Sequence, residues 1–280
     1  FIMILGGIGF MIGTGGSALV SYTLGTGDKE KANRYFSMMV YFTILAGILL
    51  TVLGIIFVRP IAELFGADES MMDTCVLYGR IVIAFNAAYM LQNIFQSFFV
   101  VAEKPRLGLI VTIAAGVTNM VLDALFVGVF KWGIVGAALA TGISQSIGGL
   151  LPLLYFALPN NSPLQLTRTG FELAPLLKAS SNGCSELMNN VASSLIGIVY
   201  NYQLMRLGGE NAVATYGVLM YIQFVFIAIF IGYSVGSAPI IGYHYGAGNF
   251  KELQNMRRKS LKIMSISGVL MAILGFTLAP

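Results

Sequence analysis

An aspartate lies within a long apolar stretch of this chain, in the segment TNMVLDALF (118–126). Thr112, Gly116, Asn119 and Asp123 recur at the spacing of one helix face, and Asn119 and Asp123 are one turn apart. A carboxylate in the middle of a membrane helix costs about 2.5–3.5 kcal/mol on insertion scales, so such residues usually line ion or substrate paths. We therefore predict that Asp123 exchanges a proton or binds Na⁺ together with Asn119. The alternative is an aspartate that only hydrogen-bonds neighbouring helices.

Other apolar segments carry polar side chains that can serve the same interior. The hydroxyl of Thr141 is predicted to complete the cation site with Asn119 and Asp123. Polar stripes on several helices indicate a shared polar cavity, because such faces are disfavoured against lipid. The predicted cavity-lining residues are Asn86, Asn93, Gln96, Gln145, Glu186, Asn189, Asn190, Ser193 and Tyr202. For Glu186 the alternative is a solvated interfacial carboxylate, and for Tyr202 it is simple packing instead of a cation held on the ring face.

The composition indicates which elements must position these residues. Of the 280 residues, 57% are hydrophobic and 10% are charged, and the mean hydropathy is +0.82. Apolar segments of roughly 20 residues can cross a hydrocarbon core of about 30 Å as helices, and these segments lack the alternation of barrel strands. The eight segments are 1–24, 36–58, 80–101, 107–130, 134–158, 183–206, 212–245 and 261–280. We predict an all-α polytopic membrane protein with eight helices, surrounded by the lipid bilayer.

The net charge of +4 is explained by orientation in a membrane and not by nucleic-acid binding. Lysine and arginine concentrate in the loops after alternate segments, whereas the remaining loops hold fewer of them beside several acidic residues. Cytoplasmic loops carry the excess of basic residues in membrane proteins. We therefore predict that loops 25–35, 102–106, 159–182 and 246–260 are cytoplasmic, and that nucleic acid is not a partner.

The sequence lacks the signatures of an enzyme site. It has no cluster of cysteine and histidine for a metal, no phosphate-binding loop and no nucleophile elbow. The glycine-rich stretch 6–16 lacks the spacing of a nucleotide-binding loop. Gly9 with Gly13, or Gly232 with Gly236, instead indicates a small-residue face for close helix packing. We predict a protein that is not an enzyme and that uses no cofactor, and no metal apart from Na⁺ near Asp123, where H⁺ is the other coupling ion considered.

An internal repeat predicts the architecture. GTGGSALVSYTLGTGDKEKANR (13–34) and SVGSAPIIGYHYGAGNFKELQN (234–255) align without a gap. The first copy has Gly15, Tyr22, Gly25 and Gly27 where the second has Gly236, Tyr243, Gly246 and Gly248. Four segments separate the two copies, so the repeat unit is six spans and both copies face the same way. Transporters use such parallel repeats.

Two six-span units predict two pseudo-symmetric lobes. We assign 1–158 to an N-lobe, 159–182 to a linker between the lobes and 183–280 to part of a C-lobe. Two complete units would have twelve spans, and this chain has eight. We therefore expect one further span before Phe1 and three after Pro280, so that the chain is a piece of a longer protein. The path of a transported substrate is expected between the lobes.

Three stretches resemble the multidrug and toxic compound extrusion (MATE) family, in its prokaryotic DinF-like and MepA-like branch. They are GTGGSALVSYTLGTGDKEKANRYFS, TNMVLDALFVGVFKWGIVGAALATGISQ and GSAPIIGYHYGAGNFKEL. The resemblance covers essentially the whole chain and implies helices 2 to 9 of a twelve-helix fold, in two six-helix lobes around a central cavity. Similar members bind a cation in the N-lobe with an aspartate of the first helix, an asparagine and an aspartate of the fifth and a threonine of the sixth. The last three map onto Asn119, Asp123 and Thr141.

The resemblance implies a secondary antiporter in the plasma (inner) membrane of a prokaryote. H⁺ or Na⁺ would bind around Asp123 while the two lobes rock, and small amphipathic cations such as drugs would leave the cell. One alternative is a flippase for lipid-linked precursors or polysaccharides, which would favour a cationic cavity, yet no lysine or arginine lies in the middle of a span. Another is a non-transporting scaffold or receptor, in which the polar stripes would be dispensable.

Overall fold

The computed structural model describes residues 2–64 and 69–278, and within these residues the regular structure is helical with no strand. The α-helices are α1 (Ile2–Gly25), α2 (Lys29–Leu64), α3 (Glu69–Ala84), α4 (Asn86–Val101), α5 (Pro105–Asp123), α6 (Gly133–Ala157), α7 (Leu173–Gly246) and α8 (Phe250–Leu278). A π-helix, Ala124–Val129, continues α5. Of the described helices, five are long and apolar enough to cross a membrane, and α3 with α4 can form a sixth, bent span. The prediction of an all-α polytopic membrane protein is confirmed.

The helices divide differently from the predicted segments at two places. The predicted segment 80–101 contains the end of α3 and all of α4, and the axes of the two helices differ by 47° across Phe85. The bend seats the ring of Phe85 directly against Gly142 of α6. A glycine at that position leaves room for the ring where any larger side chain would not.

The predicted segments 183–206 and 212–245 are two arms of α7. Gly209 separates them with a φ of +64°, a left-handed conformation that glycine adopts without steric cost. We call residues 173–208 the first arm and Asn211–Gly246 the second arm. The first arm begins ten residues before the predicted segment, inside the predicted linker. Pro175 does not interrupt this helix, because the N–H groups of the first helical turn have no acceptor within the helix and the missing N–H of proline is not needed there.

The two copies of the internal repeat have the same local structure. Gly27 and Gly248 have φ values of +88° and +68° in the turns that follow α1 and α7. The Oδ1 atom of Asp28 accepts a bond from the Lys31 N–H at 3.0 Å, and that of Asn249 accepts one from the Glu252 N–H at 3.2 Å. Each side chain therefore caps the helix that follows its turn.

The helices α1, α2, α5 and α6, which belong to the first half of the chain, pack closely around α4. Gly9 and Gly13 of α1 lie directly against the backbone of α4, so the predicted small-residue face is confirmed there. Gly232 and Gly236 meet nothing within 4 Å in the described residues, and that pair does not form such a face here. Near one end of the helices an aromatic core joins α2, α4 and α6; its members include Phe36, Phe95, Phe98 and Phe156.

The segment between α6 and α7 is held against α2. The Gln165 N–H donates to Oδ1 of Asn33 at 2.9 Å, and the Thr167 N–H donates to Oγ of Ser37 at 2.8 Å. Leu164 is fully buried in the aromatic core. This segment, together with the turns after α1, α4 and α7, forms what we call the basic-loop end of the molecule.

The two halves of the molecule meet along α1. In the first arm of α7, Gly183 lies against the carbonyl oxygen of Met11. The second arm meets α1 at the basic-loop end, where Gly25 lies against the Tyr243 carbonyl and Gly246 lies against the Tyr22 carbonyl. Gly25 and Gly246 are matching positions of the repeat, and so are Tyr22 and Tyr243. The two contacts are therefore related by a pseudo-twofold axis that passes between the helices. We call residues 18–25 and 239–246 the seam.

Within the seam, the ring of Tyr22 lies 5.9 Å from that of Tyr245, and Lys178 of the first arm lies 5.9 Å from the Tyr22 ring. The halves are therefore packed together at the basic-loop end. Toward the other end the first arm of α7 stays against α1 at Gly7.

Candidate functional site

Asp123 lies where α5 changes into the π-helix. It is the last residue of α5 and is half-buried. The Phe130 N–H donates to the carbonyl of Leu125 at 2.9 Å, across five residues, which is the π-helical pattern. π-helical turns inside α-helices are frequent at functional sites. The position of Asp123 at this junction was not predicted from the sequence, since no proline or glycine precedes it in that turn.

The π-helix is held in place by α6. Gly136 of α6 lies directly against Phe126, and the Phe126 ring stacks on Trp132 with centroids 4.9 Å apart. Because α6 packs along both α5 and the π-helix, it determines where Asp123 can lie. Thr141 lies on this same helix, a little more than one turn beyond Gly136.

The three predicted cation-site residues lie on two packed helices. Asn119 and Asp123 are one turn apart on α5, and Thr141 is on α6; all three are half-buried. No hydrogen bond joins one of these side chains to another. The side chains are therefore free to turn toward an ion, which a fully bonded cluster would resist.

Polar atoms without partners are buried between α4, α5 and α6. They are the Nδ2 atom of Asn119 and the Oε1 atoms of Gln92 and Gln145, which have no hydrogen-bond partner among the described residues. A buried polar atom left unpaired costs about 1–3 kcal/mol, so such atoms normally meet water or a ligand. We call Asn119, Asp123, Thr141 and Gln145 the Asp123 site.

Gln92 was missed in the sequence, although Gln96, one turn away, was predicted. Both side chains line a small cavity between α4, α5 and α6, together with Thr112 and Gly148. Its volume is about 10 Å³, which suits a single water molecule. The i, i+4 spacing of the two glutamines was the signal that could have identified Gln92.

The two predicted asparagines of α4 are both buried, but only Asn93 joins two helices. Asn93 is 3% exposed, and its Nδ2 donates to the Gly6 carbonyl of α1 at 3.4 Å. Asn86 is equally buried; its Nδ2 lies 3.5 Å from the sulfur of Met90, and its Oδ1 has no partner. The structure thus places Asn93 in a contact between helices.

The predicted residues of the second half lie apart from the Asp123 site, on the first arm of α7. Asn190 faces α1 at Gly7, and its Nδ2 donates to the Glu186 carbonyl at 2.8 Å. Asn189, Ser193 and Tyr202 are exposed in this chain. The first arm packs chiefly against α1, whereas α5 and α6 pack against α4 and each other.

The chemistry of the Asp123 site suits a small cation. Its candidate ligands are one carboxylate, amide oxygens and a hydroxyl, and these hard oxygen donors suit H⁺ or an alkali cation. Among the described residues, no group of three or more histidine, cysteine or acidic side chains could hold a metal ion.

Comparison with known proteins identifies the chain's relatives. The family model described as MatE matches residues 1–125 and 187–280. The chain is 25% identical to the multidrug export protein MepA of Staphylococcus haemolyticus over 94% of its length, and 29% identical to the probable multidrug resistance protein YoeA of Bacillus subtilis over 94%. It spans 57% and 58% of those two proteins.

A solved structure has the same fold. It is described as the outward-facing conformation of a multidrug resistance MATE family transporter of the MOP superfamily. The TM-score is 0.91 at 19% sequence identity, and the match covers 99% of this chain and 62% of the other.

Proposed function

The chain belongs to the MatE family, and from this premise we propose that the whole protein exports amphipathic organic cations in exchange for H⁺ or Na⁺. The names of its relatives, a multidrug export protein and a probable multidrug resistance protein, support the efflux of drug-like compounds. The Asp123 site supports the exchange for a small cation. The exporter would work in the inner membrane of a prokaryote, with the basic-loop end in the cytoplasm.

The seam supports transport by alternating access. Its contacts close the basic-loop end. In this conformation a compound bound between the halves would face the outside of the cell. Opening the seam and closing the opposite end would expose the same compound to the cytoplasm. The two conformations are the two states of the transport cycle.

The cation drives the cycle if it binds one of these states more tightly. A ligand shifts a two-state equilibrium only by its difference in affinity for the two states. In the Asp123 site, a proton or Na⁺ would neutralise the carboxylate, and Asn119, Thr141 and Gln145 could offer oxygen atoms to Na⁺. Drug and cation then exclude one another, because each stabilises a different arrangement of the halves.

The observation that carries this proposal is Asp123 at the α-to-π junction, one turn from the unpaired buried amide nitrogen of Asn119. The test is the efflux of a fluorescent organic cation from proteoliposomes that contain the whole protein, under an imposed pH or Na⁺ gradient. We expect efflux to follow one gradient, and Asp123→Asn to reduce it to the level of empty liposomes. Asp73→Asn, the same change at an exposed position of α3, is the matched control and should leave efflux unchanged.

Two results would count against the proposal. Unchanged efflux with Asp123→Asn would show that Asp123 is a structural hydrogen-bonding residue and that coupling occurs elsewhere. No efflux by the unmutated protein under either gradient would favour the flippase function.

A further inference from the structure

An open cavity lies at the basic-loop end, between the turn that follows α4 and the residues that end and follow α6. Its volume is about 820 Å³, within the size range of cavities that bind small molecules. Its walls come from two short stretches in the first half of the chain, within residues 103–107 and 155–161. Neither arm of α7 lines it, so the cavity is separate from the seam.

The span expected before Phe1 would lie elsewhere. The pseudo-twofold axis of the seam relates the first arm of α7, which packs against α1, to a span that packs against the second arm. Because the second arm contributes no residue to the cavity, the cavity does not coincide with the place of that span.

Three charged side chains line the cavity within four residues of the chain. Glu103 and Arg106 are exposed, and Lys104 is half-buried. None of the three forms a salt bridge with another residue that the structure describes; the salt bridge found there joins Arg59 and Glu63 of α2. The two cations can bind a phosphate group, and the carboxylate can bind an ammonium group.

Glu103 occupies a backbone position that favours glycine. It follows α4 with a φ of +58°, whereas Gly27 and Gly248 have the left-handed conformation in the turns after α1 and α7. This conformation is unfavourable for a residue with a Cβ, and such strain concentrates at sites that bind ligands. The binding of an ammonium group by its carboxylate gives a reason for a glutamate at this position.

An exposed apolar surface leads away from the cavity along α6. Leu151 and Leu154 are exposed and lie one turn apart, and Leu158, which lines the cavity directly after the helix, is exposed as well. On α5, Ile110 is exposed one turn beyond Leu107 of the cavity wall. Apolar side chains on the outside of membrane helices contact acyl chains. The cavity and this surface together match a lipid better than a small soluble molecule.

We propose that the cavity binds the headgroup of phosphatidylethanolamine, with its phosphate at Lys104 and Arg106, its ammonium at Glu103 and its acyl chains along α6. A headgroup with both charges fits better than a purely anionic one, because a carboxylate lies beside the two cations. The bound lipid joins the turn after α4 to the end of α6. The assignment of this end to the cytoplasmic leaflet rests on the proposed function above, whereas lipid binding itself requires no transport.

The test compares the lipids that bind to the whole protein in detergent micelles. Equal amounts of dioleoyl phosphatidylethanolamine and dioleoyl phosphatidylcholine are added, and mass spectrometry of the intact protein counts the molecules of each that stay bound. Phosphatidylcholine is the reference, because its methylated ammonium group has no N–H to donate to a carboxylate. We expect the ethanolamine lipid to be favoured by about two- to fivefold, the ratio that one exposed ion pair provides.

Glu103→Gln should remove this preference. Glu103→Gly should remove it as well without lowering the thermal midpoint, because glycine adopts the left-handed conformation at no steric cost. Replacing Lys104 and Arg106 together by glutamine should reduce the binding of both lipids, since both carry the phosphate. Glu30→Gln and Arg34→Gln, at exposed positions of α2 at the same end, are the controls and should leave both amounts unchanged.

Equal binding of the two lipids by the unmutated protein, or a preference that survives both Glu103 variants, would overturn the proposal. Displacement of the bound lipid by soluble glycerophosphoethanolamine as effectively as by the whole lipid would also overturn it, because the apolar surface of α6 would then contribute nothing. Failure of this test would leave the efflux experiment unaffected. Conversely, an absence of gradient-driven efflux would leave the lipid count valid.

Discussion

The seam and the Asp123 site solve opposite physical problems. In the seam, glycines lie directly against carbonyl groups of the opposite helix, and the contact between Gly25 and Tyr243 is mirrored by that between Gly246 and Tyr22. In the Asp123 site, the helices leave buried amide atoms without partners and α5 ends in a π-helix. The first region is closed by steric fit, whereas the second keeps buried polar atoms that have no partner among the described residues.

This difference suits the two tasks of the coupled transporter proposed above. The closed end must exclude solvent completely in one state. Close packing of one helix backbone against another achieves this without polar side chains that would need new hydrogen-bond partners when the end opens. An ion site must bind and release its ligand in each cycle, which requires polar atoms that the protein itself does not satisfy. Substitutions can test whether the seam and the Asp123 site differ in this way.

The largest effect on the equilibrium between states is expected from Gly25→Val. Its side chain would meet the Tyr243 carbonyl, and overpacking of this kind costs about 1–3 kcal/mol, which corresponds to a shift of about 5- to 150-fold between states. Gly246→Val should have the same effect because of the pseudo-twofold symmetry. Distances between spin labels across the basic-loop end measure the shift.

Gly170→Val, in the exposed segment between α6 and α7, is the control, since nothing lies within 4 Å of that position in the described residues. An equal shift with Gly170→Val, or none with either seam variant, would show that the seam does not hold the molecule closed.

The next prediction separates folding from function in two asparagines. Asn93→Leu removes the bond to the Gly6 carbonyl and leaves that carbonyl unsatisfied, so we expect it to lower the free energy of unfolding by about 1–3 kcal/mol. Asn119→Leu removes an atom that has no partner, so the thermal midpoint in detergent should change little while gradient-driven efflux falls. If both variants lowered the midpoint equally, Asn119 would be a structural residue and the contrast between the regions would weaken.

A smaller effect is expected at the two repeated helix caps. Asp28→Ala and Asn249→Ala each remove a side chain that caps the next helix, which costs about 1 kcal/mol. We expect the two losses of thermal stability to be similar, because both turns have the same hydrogen bonds. Asp28→Asn should keep the cap and the stability. A large difference between the two alanine variants would show that the repeat is not energetically equivalent in the two halves.

The smallest change is expected from Gly116→Ala on α5. Nothing lies within 4 Å of the added methyl group, and alanine stabilises a helix interior by about 0.5–1 kcal/mol relative to glycine. A small rise in the thermal midpoint with unchanged efflux would fit the open surroundings of Gly116. A fall in efflux would show instead that another element approaches this face during the cycle.

The sequence was most informative where local rules decide the structure. Helical periodicity placed Asn119 and Asp123 on one face, and the repeat identified Gly27 and Gly248, whose turns have the same conformation in the structure. The break at Gly209 matched the boundary between two predicted segments. In each case the governing interaction lies within a few residues along the chain.

The sequence by itself therefore determined the helical class, the repeated turns and the face that carries Asp123. Only the tertiary structure decided the bend at Phe85, the π-helix after Asp123 and the unpaired amide of Gln92. The physical reason is that each depends on a neighbour distant in the chain: the Phe85 ring needs Gly142, the π-helix packs on Gly136, and Gln92 lacks a partner only because of how α4, α5 and α6 come together. The seam likewise exists only when α1 and α7 meet.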